Sequence, residues 1–250
     1  MDSSRRALDS RTCIAGTSVV SVISGAQTIA KVREHQSDTL LAFSCGKDAI
    51  TAWLAIRPHF DRVVPYYLYL VPGLEFVEES LDYYERWFGT KIYRLPHVSF
   101  ARLLNECVFQ PPERRAVITE AELYEPSYED LRGEVARAAG VDAATMVADG
   151  VRAADSPMRR LAITKHGPIT WRQHKYHPVW DMRKADLQAM FRREKVRLPI
   201  DYKLFGRTFD SLDLRFLLPV KKHFPRDYRK ILEWFPLAEL EVFRWEHARC

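Results

Sequence analysis

The sequence is poor in cysteine, and the cysteines it has are badly spaced for metal or disulfide chemistry. Cys13, Cys45, Cys107 and Cys250 form no Cys-x-x-Cys pair. That spacing excludes a zinc ribbon and argues against an iron–sulfur or zinc site formed by this chain alone. It fits a reducing compartment. Long apolar runs are also missing: none reaches the roughly 18 residues that a membrane span needs. Met1 to Arg6 leads into no apolar region of signal-peptide type before Asp9 and Arg11, and Cys13 to Ile23 is rich in Ser, Thr and Gly. A cytoplasmic protein is therefore expected. Strong charge bias is absent as well. A net charge of +5 suits an anionic ligand but is too mild to establish nucleic-acid binding. No Ser/His/Asp triad can be assigned from spacing.

What is present is a chain of 250 residues with 47% hydrophobic content, long enough to bury a sizeable core in one domain with a small appendage. The stretch Leu40-Leu41-Ala42-Phe43-Ser44-Cys45-Gly46-Lys47-Asp48-Ala49-Ile50 organises it. An apolar strand-like run ends at Ser44, a Gly-Lys turn follows, and a helical pattern opens at once. This is the layout of a phosphate cradle, in which unpartnered N–H groups and the helix dipole converge on one spot. Gly46 lets the backbone approach a ligand, Lys47 supplies a full charge, and Ser44 and Asp48 can cap the helix or orient the ligand. It is not a Walker A loop, which needs Gly-x-x-x-x-Gly-Lys-Ser/Thr. An ordinary strand-to-helix turn is the plain alternative.

Along the chain, residues 1–24 read as a loose leader. A short helix is expected over Gln27 to His35 and the cradle helix to about Arg57, with Pro58 as a stop. Val63 to Val71 reads as a strand covered on both faces, and Pro72-Gly73 as a turn. Glu75 to Phe88 reads as a helix ended by Gly89. Lys91 to Leu95 reads as a strand, and Ser99 as the cap of a helix through about Phe109. After a long polar segment, Tyr128 to Ala139 reads as a helix closed by Gly140 and Ala144 to Ala148 as a strand. The alternation predicts an α/β fold, a parallel sheet sandwiched by helices, with ligands at the strands' carboxyl ends.

A second segment follows the last of these strands: Asp149-Gly150-Val151-Arg152-Ala153-Ala154-Asp155-Ser156-Pro157-Met158-Arg159-Arg160. Arg152 and Arg159 can grip separate phosphate or sulfate oxygens. Ser156-Pro157 fits a helix start. The plain alternative is a solvated arginine-rich turn.

The cradle stretch resembles the PP-loop, Ser-Gly-Gly-x-Asp-Ser, of the adenine nucleotide alpha hydrolase superfamily. Here Cys45 stands in place of the motif's second residue, its first glycine, and Ala49 in place of the final serine. The Asp149–Arg160 segment resembles the Gly-x-Arg-x-x-Asp/Glu-Ser-x-x-Arg motif of its PAPS reductase-like members. Val71 to Glu78 is similar to that family's Asp-Thr-Gly-x-x-Phe-x-Glu-Thr turn, keeping Gly73, Phe76 and Glu78. His177 to Asp181 resembles a later Trp/Asp region with the order reversed, and Phe205 to Asp210 resembles stretches of phage and actinobacterial PAPS reductase-like proteins.

The resemblance covers roughly residues 25 to 200. It implies a Rossmann-like nucleotide-binding domain over 25–200 and a helical C-terminal extension over 201–250 packed on it. It also implies an enzyme that binds ATP or a sulfonucleotide, with magnesium bridging phosphates rather than sitting in a protein metal site. The leading activity is cleavage of ATP between the α and β phosphates, adenylating an unknown acceptor. Lys47, Asp48, Arg152 and Arg159 are the implied catalytic residues. Ser44, Cys45, Gly46, Gly73, Gly150 and Ser156 join them in binding the nucleotide. A sulfonucleotide reductase is one alternative, although the family's Glu-Cys-Gly-Ile/Leu-His tail is replaced by Glu246-His247-Ala248-Arg249-Cys250. A non-catalytic nucleotide-binding subunit of a DNA-modification or phage-related assembly is another. A protein partner or homodimer stays open.

Three smaller readings complete the expectations. His174-Lys175-Tyr176-His177 has His-x-x-His spacing with no assignable acidic partner. Lys221-Lys222-His223 with Arg226, Arg229 and Lys230 reads as a solvated helix face, with nucleic acid as the alternative. Phe209, Phe216, Phe224, Trp234 and Phe243 read as core.

Overall fold

A computed structural model describes residues 22–248. Most of the expected leader, Cys13 and Cys250 lie outside the described residues. The elements run α1 (Gly25–Arg33), β1 (Asp38–Ala42), α2 (Lys47–Ile56), β2 (Arg62–Tyr69), α3 (Glu75–Phe88), β3 (Tyr93–Pro96) and α4 (Val98–Asn105). Then come α5 (Arg115–Ala121), α6 (Tyr128–Ala139), β4 (Val147–Ala148), α7 (Pro157–His166), β5 (Ile169–Thr170) and β6 (Lys175–Tyr176). The chain continues through α8 (Lys184–Glu194), α9 (Ile200–Leu204), α10 (Leu214–His223), α11 (Pro225–Trp234) and α12 (Glu239–His247).

The strands form one six-stranded sheet in the order β3-β2-β1-β4-β6-β5. All neighbours are parallel except β5, which pairs antiparallel with β6. The expected α/β fold is present, with an antiparallel edge that the sequence pattern did not reveal. β1 lies between β2 and β4, so the loops after β1 and β4 leave the same edge in opposite directions. This is the switch point at which open α/β sheets hold ligands.

Burial explains why β1 is the centre. Leu40 and Leu41 point to opposite faces and both are fully buried. Leu40 packs with Val64, Tyr66, Val147 and the α6 residues Val135 and Ala136, whereas Leu41 joins the larger core with Phe43, Ile50 and Trp53. The fully buried Thr39 hydroxyl is 3.0 Å from the Met146 carbonyl and 2.9 Å from the Tyr176 hydroxyl, tying β1 to both β4 and β6.

Several local expectations hold and several are corrected. α3 ends at Gly89 and α6 at Gly140, both glycines left-handed. α4 is capped by the His97 ring, which accepts from the Ser99 N–H, and it ends at Asn105 rather than Phe109. The strand expected over Ala144 to Ala148 shrinks to two paired residues. Phe209 and Phe216 enter the core and Phe224 packs against it, but Trp234 and Phe243 are exposed at 38% and 53%. The α11 residue Asp227, buried beside α3, accepts from the N–H groups of Glu75 (2.7 Å) and Phe76 (3.2 Å). It caps a helix whose own N-cap, Leu74, has no side-chain acceptor.

Candidate functional site

Ile50 is the first residue of α2 whose N–H closes a helical bond, to the Gly46 carbonyl at 2.9 Å. The N–H groups of Lys47, Asp48 and Ala49 therefore lack intrahelical partners and form the anion seat expected of a helix start. Neither Ser44 nor Asp48 caps the helix: the N-cap is Gly46, with no side-chain bond. Cys45 sits at φ +58°, a left-handed conformation that glycine adopts freely and other residues at a cost. This is a physical reason for glycine at that position of the loop motif. Burial pushes the Cys45 thiol well above its ordinary pKa, and the nearby Asp201 adds to the effect. The thiol is therefore not activated by the helix start.

The loop after β4 packs directly on this turn. A Cβ on Gly150 would lie 2.5 Å from the carbonyl carbon of Asp48 and 2.7 Å from the nitrogen of Ala49. Only glycine lets the two backbones meet. From there a chain of alternating charges runs Lys47–Asp48–Arg152–Asp155–Arg159. Lys47 pairs with Asp48 Oδ2, and Asp48 Oδ1 lies 2.7 Å from Arg152 Nε in an ion pair too bent for a hydrogen bond. Arg152 Nη2 donates to Asp155 at 2.6 Å, and Arg159 Nη1 to the other Asp155 oxygen at 3.3 Å. The Arg152 side chain is 6% exposed, whereas Lys47 and Arg159 are 36% and 52% exposed. The ends of the chain face solvent, and its middle binds α2 to α7.

Above this network lies a cleft of about 460 Å³ lined by Ser44, Gly46, Lys47, Asp149, Gly150, Arg159, Tyr202 and Arg207, among others. It adjoins a larger cavity of about 670 Å³, lined by Tyr66, Tyr67, Leu68, Leu70, Leu103, Phe109 and Phe209 with polar groups from His97, Arg102 and Asp213. The two share Ala42, Ser44 and Thr208. Of the sequence-derived residues, Ser44, Gly46, Lys47, Asp48, Gly150 and Arg159 line the cleft. Arg152 reaches the cradle but is spent on protein carboxylates. Ser156 caps α7 by accepting from the Arg159 N–H. Gly73 lines neither cavity; it turns left-handed at φ +70°, and its carbonyl accepts from Lys230 at 2.7 Å.

No family model matches the sequence, and no curated protein matches it. Among solved structures the chain is similar to the U34-tRNA thiolase NcsA of Methanococcus maripaludis, determined with its 4Fe-4S cluster. Identity is 12%, coverage is 85% of this chain and 78% of that one, and the TM-score is 0.44. It is also similar to the NH3-dependent NAD synthetase of Campylobacter jejuni, in complex with nitrate, at 13% identity. There coverage is 88% of this chain and 94% of that one, with a TM-score of 0.41. At these values neither likeness carries a function to this chain.

Three groups without a local sequence signal complete the site. The Tyr202 hydroxyl accepts the Lys47 N–H at 3.0 Å, so part of the anion seat is filled by the protein itself. Its neighbour Asp201 is buried, and burial raises its pKa to about 6 against the lowering effect of the Phe209 N–H it accepts at 3.0 Å. Asp149 supplies the acidic partner that the His-x-x-His spacing lacked. Its Oδ1 is 2.7 Å from His177 Nδ1 and its Oδ2 is 2.9 Å from Lys175 Nζ. Burial alone would raise the Asp149 pKa, but His177 and Lys175 hold it below the usual carboxylate range. A long-range signal of this kind has no local pattern; only the pairing of β4 with β6 brings residues 149 and 177 together.

Proposed function

We propose that this protein is a PP-loop-type nucleotide-binding enzyme of the PAPS reductase-like kind. It binds ATP with the phosphates on the α2 start and the adenosine in the larger cavity. The observation that carries this reading is the single groove at the β1/β4 switch point. One end offers the α2 start, where the Asp48 and Ala49 N–H groups have no intrahelical partner, with Lys47 and Arg159; the other is apolar and aromatic, as a nucleoside requires. In the reaction proposed, an acceptor attacks the α phosphorus of ATP. The α–β bridging bond breaks and pyrophosphate leaves. Lys47, Arg159 and the N–H groups of the turn stabilise the charge that grows on the leaving group. Asp48 and Arg152 are positioning residues, because their contacts are to each other and to Asp155 and Lys47.

Among the described residues no group of three His, Cys, Asp or Glu side chains could hold a metal ion. Asp48, Asp149 and Asp155, the carboxylates that line the cleft, are each already paired with a cation. The site therefore fits magnesium only as an ion carried by the nucleotide's own phosphates, where it would neutralise charge. A reductase reading needs a nucleophilic thiol. Of the two cysteines among the described residues, Cys45 is buried with its pKa raised, and neither it nor Cys107 lines either cavity.

The test is release of pyrophosphate from ATP and magnesium, measured with and without cell extract as a source of acceptor. Release that requires extract and fails in Arg159→Ala is the expected result. Sulfite formation from a sulfonucleotide with a thiol donor, and no pyrophosphate, would replace this reading with the reductase.

A further inference from the structure

Charge is unevenly spread along the chain. Residues 157–207 hold thirteen Lys and Arg against four Asp and Glu, a net +9, whereas the whole chain carries +5. The rest of the chain is thus net negative. The fold gathers part of this excess at one place. The Arg152 guanidinium pairs with Asp155 just before α7, and its Nη1 lies 3.5 Å from the Met182 carbonyl just before α8. The starts of α7 and α8 therefore both stand beside the cradle. Arg159 and Arg160 belong to the first turn of α7, and Arg183 and Lys184 to the start of α8. Tyr202 of α9 lines the same cleft, and Lys203 and Arg207 flank it in sequence.

These six cations are all exposed. Among the described residues no carboxylate pairs with Arg160, Lys184 or Lys203. α7 itself is almost unpartnered, with Ile163 its only buried residue. Its Met158 and Leu161 are 73% and 60% exposed among the cations.

We infer that this basic rim docks a single-stranded nucleic acid whose base or end is the acceptor for the chemistry in the cleft; the inference rests on the nucleotide reading of that cleft. A phosphate backbone supplies the closely spaced negative charges that Arg159 and Arg207 in the cleft lining, with the exposed cations at the starts of α7 and α8 and on α9, can meet. The exposed Met158 and Leu161 offer apolar surface to unstacked bases. A single strand is favoured over a duplex because a base held in a stack cannot enter a cleft.

The experiment measures anisotropy of a labelled 20-nucleotide strand, as RNA and as DNA, against salt, alongside calorimetry with ATP. Six phosphate contacts predict a log–log salt slope near −4, and the triple variant R160Q/K184Q/K203Q should lower its magnitude by about 2. Its ATP affinity should be unchanged, since none of the three lines the cleft. Binding of duplex or of poly-glutamate as tight as that of the strand would overturn the inference. So would a triple variant with the wild-type slope, or a strand that fails to bind at low salt while ATP still binds. If the strand binds but ATP does not, the nucleotide reading of the cleft fails, and the acceptor role falls with it.

Discussion

Arg152 and Arg159 occupy equivalent places in a sequence motif and different places in the physics. The guanidinium of Arg152 is buried between Asp48 and Asp155, while that of Arg159 stands at the open end of the same ion chain. Lysine at 152 keeps the charge but can satisfy only one of the two carboxylates. Arg152→Lys should therefore lower unfolding free energy by about 1.5–3 kcal/mol, the worth of a charged hydrogen bond, as read by urea denaturation. A variant of wild-type stability would mean that the ion chain holds nothing together. Tyr202 makes the opposite prediction. Its hydroxyl takes the Lys47 N–H that a phosphate oxygen would use. Tyr202→Phe should speed hydrogen exchange at the Lys47 amide and tighten pyrophosphate binding about three- to tenfold, matching a competing bond of about 1 kcal/mol. Weaker pyrophosphate binding would show instead that the phenol is itself a ligand contact.

At the scale of elements, two glycines of the sequence motifs separate cleanly. Gly150 lies where the β4 loop meets the first turn of α2, and an added Cβ meets backbone it cannot move aside. Gly150→Ala should cost about 1–3 kcal/mol by overpacking and should also weaken ATP binding. At Gly73 a Cβ meets nothing within 4 Å, although φ is +70°. Gly73→Ala should cost about 1–2 kcal/mol of strain and leave ATP affinity as it was. Equal effects of the two variants on affinity, by calorimetry, would contradict this division. The α9 segment carries a pH signature. Burial raises the Asp201 pKa in the folded state from 3.8 to about 6, so the native state holds this proton more tightly than the unfolded chain. Its stability contribution is fully present below about pH 4 and is lost as pH rises through 6. Asp201→Asn keeps an acceptor for the Phe209 N–H without the charge. It should gain on the wild type between pH 4 and 6 and stay about 3 kcal/mol ahead at pH 7. If denaturation midpoints showed the advantage of Asp201→Asn shrinking with rising pH, the assignment would be reversed.

At the scale of the whole molecule, the elements legible in the sequence are those with strong local punctuation. α3 closes on Gly89 and α6 on Gly140, and β1 and the cradle helix announce themselves by an apolar run and a Gly-Lys turn. β5 and β6 were not legible, because two-residue strands have no periodicity to read. α9 was missed because five residues give too short a pattern, yet it brings Tyr202 to the cradle. The exposure of Trp234 and Phe243 could not be read either, since an aromatic at a helical position reports apolarity and not what lies opposite it. The burial of Arg152 depends on carboxylates at 48 and 155 that only the parallel pairing of β1 with β4 assembles. The central claim is that the groove at this pairing holds ATP by its phosphates, with Lys47 as the charged contact. Calorimetric titration of ATP into the wild type and Lys47→Ala, each with magnesium, tests it most directly. The expected result is a single site that Lys47→Ala weakens about ten- to a hundredfold, with circular dichroism unchanged. Equal affinity for the two proteins would contradict it.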